Sequence, residues 1–347
     1  MKRLTPEVQT MLEQKIIPFW LSLKDERYGG FISYVDLDLR RYAKAEKGCI
    51  LNSRILWFFS EAAMLLHTPE LSHAADHAYR FLMRYCVDRK AGGVFWSVTY
   101  DGKLLDTTKH TYNQAFAIYA LSAYYRLTGN PEALQTARQL FQIVEMHCRD
   151  AEGYGESYDR FWNPQSNEKL SENGVMAERT MNTLLHVFEG YSGLYQAAKS
   201  PEVEKELRAL LDIWSEKMFD PEKRRQEVFF DRSYHSLIDL QSYGHDIESA
   251  WLLDWGCDLL GDRELSEKIH RMTDVLAESV LERGFDGEAV CNEIENGVTD
   301  TDRIWWVQSE AILGFTHMLE KHPDSLTKME NWAFASCANL TRITIPD

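Results

Sequence analysis

A chain of 347 residues carrying a net charge of -16 is unsuited to nucleic acid or an anionic membrane as a partner. Its 44 % apolar and 12 % aromatic residues are enough for a sizeable core and exclude intrinsic disorder. The six cysteines are scattered with no C-x-x-C pair, Met1–Thr10 carries no apolar leader, and no stretch reads as a membrane span, which together predict a cytoplasmic protein with reduced thiols and no zinc.

Apolar residues at helical spacing predict helices near 5–24, 50–67, 70–88, 110–128, 131–149, 177–199, 202–218, 244–260, 263–283 and 304–321. Four short joints link them in pairs: His67-Thr68-Pro69-Glu70, Gly129-Asn130-Pro131-Glu132, Ser200-Pro201-Glu202 and Gly261-Asp262-Arg263-Glu264. Each reads as an N-cap followed by a first-turn proline or acid. Longer joints alternate with them, rich in glycine and alternating aromatic residues as β-hairpins are, among them Tyr28–Tyr34, Gly92–Val98, Gly153–Tyr158, Val228–Asp231 and Gly284–Glu288.

The unit of helix, short turn, helix and hairpin-bearing loop recurs about every 60 to 75 residues. No βαβ alternation is present, so a parallel sheet is disfavoured. The expected fold is all-α: a single (α/α)6 barrel of helix hairpins over 1–347, with short β-hairpins in the long loops. Ser325–Leu340 reads as a weak eleventh helix and Thr341–Asp347 ends the chain, so the repeat predicts a barrel lacking its last helix. An open α-solenoid is the alternative.

Polar residues gather at the starts of alternate helices, the set expected to line a pocket. His245 and Glu248 share a face three residues apart, after Ser242, Tyr243 and Gly244. Asn182, His186 and Glu189 share another. Asn52, Ser53 and Arg54 open a third helix, with Trp57 and Phe58 behind them. His110, Tyr112, Asn113 and Gln114 open a fourth; Trp305, Trp306, Gln308 and Glu310 lie on a fifth. One such stripe is a capped helix with a satisfied core histidine as easily as a site. Five in phase with the repeat point to a shared pocket, because buried polar groups without partners are costly. No metal-ligand spacing, P-loop, G-x-S-x-G or dinucleotide fingerprint occurs. His67, His73, His77, His147, His270, His317 and His322 fall on outer helices or joints and read as surface residues.

The runs Asn52-Ser53-Arg54-Ile55-Leu56-Trp57, Lys109-His110-Thr111-Tyr112-Asn113-Gln114, Leu170-Ser171-Glu172-Asn173-Gly174, Ser242-Tyr243-Gly244-His245-Asp246-Ile247-Glu248 and Trp305-Trp306-Val307-Gln308-Ser309-Glu310 closely resemble cellobiose 2-epimerases, which stand with the N-acylglucosamine 2-epimerases. The likeness runs from about residue 7 to about 320, and the tail 328–347 is atypical. The resemblance implies an (α/α)6 barrel that epimerises the reducing-end glucose of β-1,4 disaccharides at C2 through a cis-enediolate, with no metal or redox cofactor. A small-molecule sugar is the implied substrate, and the chain is expected to be a monomer or weak homodimer.

By position, His245 matches a catalytic histidine, Glu248 the carboxylate near it, Arg54 the arginine at the reacting carbonyl, and His186 a histidine linked to ring opening. Tyr112, Asn113, Asn182, Trp251, Trp305, Trp306, Glu310 and His110 match residues that hold the sugar. The family's second catalytic histidine sits in a C-terminal proline-tyrosine-histidine-asparagine run that this sequence lacks. Reduced activity is the favoured expectation, with completion by a partner chain or substitution by His186 as the other readings. A mannose-type aldose–ketose isomerase and a silent carbohydrate-binding α/α protein are the competing functions.

Overall fold

The structure is a computed structural model that describes residues 4–323; the expected eleventh helix and the tail lie outside the described residues. Contacts divide it into two compact units, 1–147 with 158–164, and 148–157 with the residues from 165 onward.

In the first unit, α1 (Leu4–Met11) continues through a π-helical turn (Leu12–Ile16) into α2 (Ile17–Ser22). Helices α3 (Cys49–Leu66) and α4 (Pro69–Phe81) form one hairpin, α5 (Thr111–Thr128) and α6 (Pro131–His147) the next, and α3 packs on α5. The second unit holds α7 (Met181–Ala197) with α8 (Pro201–Ile213), α9 (Tyr243–Leu260) with α10 (Arg263–Ser279), and α11 (Trp305–Lys321). There α9 packs on α7, α10 and α11.

The ten helices expected between 5 and 321 are present, with ends shifted by a few residues, three of them finishing in a π-helical turn. The largest shift of a helix start is at α7, which begins at Met181 because Arg179–Thr180 is a strand paired with Phe229–Phe230. Alternate helices differ in burial as the repeat requires. In α8 one stripe is buried, Val203, Leu207, Leu210 and Leu211, while α7 is buried on nearly every side. Each fully buried leucine of that stripe contributes about 2 kcal/mol of apolar transfer. Helix α3 is long and apolar enough to cross a membrane by composition, contrary to the expectation that no stretch would be; it packs between α4 and α5.

The short joints cap in two ways. Asn130 Oδ1 accepts from the Glu132 and Ala133 amides at 2.9 and 3.4 Å, and Asp262 Oδ1 from the Leu265 amide at 3.2 Å. Thr68 and Ser200 occupy the cap position without such a bond, and there the proline that opens the helix stands where the first amide would need a partner. The preceding helices α5 and α9 end on left-handed glycines, Gly129 and Gly261; His67 takes the same conformation (φ 54) without glycine's freedom.

The long joints repeat in more detail than their composition suggests. Helices α4, α8 and α10 each run into a π-helical turn, Leu82–Cys86, Trp214–Met218 and Val280–Gly284. An aspartate then folds the loop by accepting two backbone amides: Asp25, Asp88, Asp150, Asp220 and Asp286 all do so. Four of them bind a basic residue placed two positions before the next core helix. Lys47 Nζ lies 2.7 Å from Asp25, Lys109 Nζ 3.2 Å from Asp88, Arg179 Nη2 2.7 Å from Asp150, and Arg303 is paired with Asp286.

These pairs tie loop to helix. Burial alone would raise the Asp88 carboxyl, yet Arg160, Lys109 and two backbone amides hold it well below the usual range. Burial pushes the Lys109 ammonium down to about 8 against the pull of Asp88.

Candidate active site

Because α3, α5, α7, α9 and α11 start at Cys49, Thr111, Met181, Tyr243 and Trp305, their residues can be compared in register. The second residues are Ile50, Tyr112, Asn182, Gly244 and Trp306; the sixth are Arg54, Phe116, His186, Glu248 and Glu310; the ninth are Trp57, Tyr119, Glu189, Trp251 and Leu313. Arg54, Tyr112, Asn182, His186, Glu248, Trp251, Trp306 and Glu310 fall on these three positions, which share one helix face, whereas His245, Asn113, Trp305 and His110 do not. The fourth residues do other work. Gln114 exchanges hydrogen bonds with both backbone groups of Val94, and Gln308 does the same with Val290. The two glutamines of the polar stripes are therefore loop clamps.

In the second unit α7 and α9 bring three candidates together. His186 is buried; its Nδ1 lies 2.8 Å from Glu189 Oε2 and its Nε2 3.9 Å from Glu248 Oε1. His245 Nδ1 lies 2.8 Å from Ser242 Oγ, and its ring leans on Trp306 with centroids 4.7 Å apart. Burial, with a smaller push from His186, drives the His245 imidazole down to about 3, so it is neutral at neutral pH. Asn182, one turn before His186, keeps its Oδ1 buried and without a partner among the described residues. Across α9 and α11, Trp251 Nε1 donates to Glu310 Oε2 at 2.9 Å.

Local sequence explains how His245 is placed. The strand Leu240–Ser242 pairs with Glu293–Glu295 and sets where α9 begins. Gly244 allows α11 to approach, since a Cβ there would come within 2.6 Å of the Trp306 ring. Asp246 is wholly buried and accepts from the Gln226 amide and from Gln241 Nε2 at 3.3 and 2.8 Å. Burial raises its carboxyl to about 7. Gln226 Nε2 in turn donates to the His245 carbonyl at 2.9 Å.

In the first unit the Arg54 guanidinium sits 4.4 Å above the Phe116 ring, which also touches Tyr112 at 4.9 Å. Trp57 stacks on Tyr119. Two candidates there are wholly enclosed. His110 Nδ1 accepts the Tyr112 amide as the cap of α5, and Asn113 Nδ2 donates to the Phe95 carbonyl at 2.6 Å. Both have structural ties to the start of α5. Of the paired tryptophans, Trp306 meets His245 whereas Trp305 is 63 % exposed.

The histidines read as surface residues divide. His67 and His73 are exposed. His317 is on the core helix α11, with Nε2 2.8 Å from the buried Asp254 that also binds Lys321 and Thr273. His77 Nε2 bonds the Gly30 carbonyl at 2.9 Å. The sequence marks the run Ser242–Glu248 but not the roles of Ser242 and Gly244 within it, and it gives no signal for Gln226, which reaches the His245 carbonyl from 19 positions away.

Two imidazoles on neighbouring helices, one of them with a carboxylate 3.9 Å from its Nε2, can take and return a proton, and the indole beside His245 suits a pyranose. Proton transfer on a sugar carbon is the chemistry of a carbohydrate epimerase, and comparison with known proteins leads to that class. Residues 29–342 match the family model described as N-acylglucosamine 2-epimerase (GlcNAc 2-epimerase). A cellobiose 2-epimerase of Eubacterium cellulosolvens is 49 % identical over 330 residues, 90 % of this chain and 82 % of that one. The crystal structure of a sugar epimerase from a ruminal bacterium superposes with a TM-score of 0.96 at 41 % identity, covering 99 % of this chain and 87 % of the other. Cellobiose 2-epimerase from Bacillus thermoamylovorans gives 0.94 at 39 %, covering 100 % and 89 %. The chain belongs to the N-acylglucosamine 2-epimerase family, and its fold class is the (α/α)6 barrel of these relatives, as expected from the sequence.

Proposed function

We propose that this protein interconverts the reducing-end glucose of β-1,4 disaccharides such as cellobiose and lactose with mannose. The observation that carries the reading is the His186–Glu248–His245 grouping in a chain 49 % identical to a cellobiose 2-epimerase. His245, held neutral, removes the C2 proton of the opened sugar, and a cis-enediolate forms. When Nδ1–H is donated to Ser242, Nε2 keeps the lone pair that takes the proton. Rotation about C2–C3 presents the other face, and His186 returns a proton there after assisting ring opening.

Glu248 lies near Nε2 of His186, where it can accept from the substrate or from the imidazolium. Arg54 is assigned the developing oxyanion, because a guanidinium is a fixed, always-charged donor. Tyr112, Asn182, Trp251, Trp306 and Glu310 are assigned to the sugar rings and hydroxyls. His110, Asn113 and Trp305 belong to the same substrate set by position; His110 and Asn113 also tie down the start of α5, and Trp305 is exposed. A cytoplasmic location and a monomeric or weakly dimeric state belong to the same proposal; the five described cysteines, all free and buried, support a reducing compartment.

Incubation with cellobiose, lactose and mannose in deuterium oxide tests the reading. A glucosyl-mannose product with deuterium at C2 is expected from cellobiose. Fructose from mannose, without any disaccharide product, would reassign the protein as an aldose–ketose isomerase. Sugar binding without exchange would reassign it as a binding protein.

A further inference from the structure

We infer that Glu189 is a positioning residue that fixes His186 as the proton-donating imidazole of the site, with Nδ1–H given to Glu189 and Nε2 turned to Glu248. The inference rests on the proposed epimerase chemistry for its purpose, and on the geometry of α7 and α9 for its substance.

Glu189 stands one helical turn beyond His186, the spacing at which two side chains of a helix meet. Its Oε2 lies 2.8 Å from Nδ1, and the carboxylate is 9 % exposed, so water does little to screen it. An ionised carboxylate only accepts hydrogen bonds. Nδ1 therefore carries the proton in both states of the ring, and Nε2 is the nitrogen that gains and loses one. A negative charge in contact with the ring also favours the imidazolium over the neutral form. Among the described residues, titratable groups that face His186 include Glu189 from its own helix, and Glu248 and His245 from α9.

The contrast with His245 sharpens the assignment. Its Nδ1 meets the neutral Ser242 hydroxyl, also at 2.8 Å, rather than a carboxylate. The two histidines thus differ at Nδ1, with a hydroxyl on His245 and a carboxylate on His186, a difference of the kind that separates base from acid. Register supports the reading. At the ninth position of the core helices the residues are Trp57, Tyr119, Trp251 and Leu313, and a carboxylate occurs only on α7, the helix whose sixth residue is histidine.

The test uses the full chain labelled with 15N-histidine, with His186 resonances assigned by their loss in His186→Asn. Two-bond proton–nitrogen spectra are recorded against pH for the wild type, Glu189→Gln and Glu189→Asp. Glutamine keeps the shape and can still accept from Nδ1, so a merely structural role leaves the titration unmoved. The expected result is an Nδ1–H tautomer in the wild type, a His186 midpoint about one pH unit lower in Glu189→Gln, a tenfold weaker hold on the proton, and partial restoration in Glu189→Asp. The alkaline limb of kcat/KM for cellobiose moves down by the same amount.

An Nε2–H tautomer in the wild type overturns the inference even if neither Glu189 variant folds. So does a midpoint unchanged in Glu189→Gln. A wild type that exchanges no C2 proton with any sugar sinks the functional proposal instead, and leaves the tautomer and midpoint to decide the role of Glu189.

Discussion

The entrances to α3 and α9 occupy the same place in the repeat and are built differently. Before α3, Lys47 is buried and bonded to Asp25 and to the Gly29 carbonyl, a loop clamp that recurs with Lys109, Arg179 and Arg303. Before α9 the same position is Gln241, which bonds Asp246 and Ser279 instead of a loop aspartate. The helix that follows carries His245 and Glu248. The scaffold thus keeps a charged clamp at the entrances to α3, α5, α7 and α11. It departs from the rule at the helix whose first turn holds the proposed base, where a fixed ammonium so near would change the local field.

The largest effect expected from that contrast is on α9. His245→Ala should cost about 10² to 10⁴-fold in C2 exchange, the usual worth of a general base, with an unchanged melting profile. Deuterium wash-in with cellobiose measures it, and retained exchange would remove His245 from the mechanism.

The converse belongs to α3. Lys47→Met leaves Asp25 buried without its cation and should lower stability by about 3 kcal/mol, read as a fall in the urea midpoint. If the midpoint holds, the clamp is decoration and the comparison loses its structural half.

Gly244→Ala probes close packing at the same entrance. A methyl group within 2.6 Å of Trp306 must displace that ring from His245, at about 1–3 kcal/mol in stability. Exchange should fall more than folding suffers, and tryptophan near-ultraviolet dichroism should change. A variant with wild-type spectrum and rate would show that the contact has no bearing on the site.

The smallest effect is a pH dependence. Burial raises Asp246 to about 7 from an ordinary value near 4. The folded chain then holds a proton that the unfolded chain releases across that window. Stability from this group falls as pH rises from about 4 to 7, and is flat above. Gln241→Lys places an ammonium where other repeats have one and should keep Asp246 ionised, flattening the slope by one proton. Denaturant midpoints across pH 4 to 8 measure it, and an unaltered slope would assign the titration elsewhere, with buried Glu156, also raised to about 7, the next group to examine.

Much of this was legible before any coordinates. The helix pairs, their short joints and the hairpin-bearing loops follow from apolar spacing and from glycine and proline, which act within a few residues. His245, Glu248 and His186 stood out because they are polar residues in phase on otherwise apolar helices. What stayed hidden depended on registers finer than composition. Asn113, His110 and Gln114 look like pocket residues from their neighbours in sequence, yet each is used to hold the start of α5 or its loop. His317 looks like a surface residue until α11 brings it to Asp254, 63 positions away.

The amino-acid order alone determined the all-α repeat, the family and the short list of imidazoles and carboxylates, because periodicity and local motifs are properties of neighbours along the chain. Which nitrogen of each histidine is engaged, and by what, was decided only by the tertiary structure. His245 meets Ser242 at the strand end before α9, and His186 meets Glu189 across one turn and Glu248 from another helix. Protonation depends on charge and burial at distances of 3 to 4 Å, and contacts of that length are fixed by packing between elements, which no periodicity in the sequence specifies.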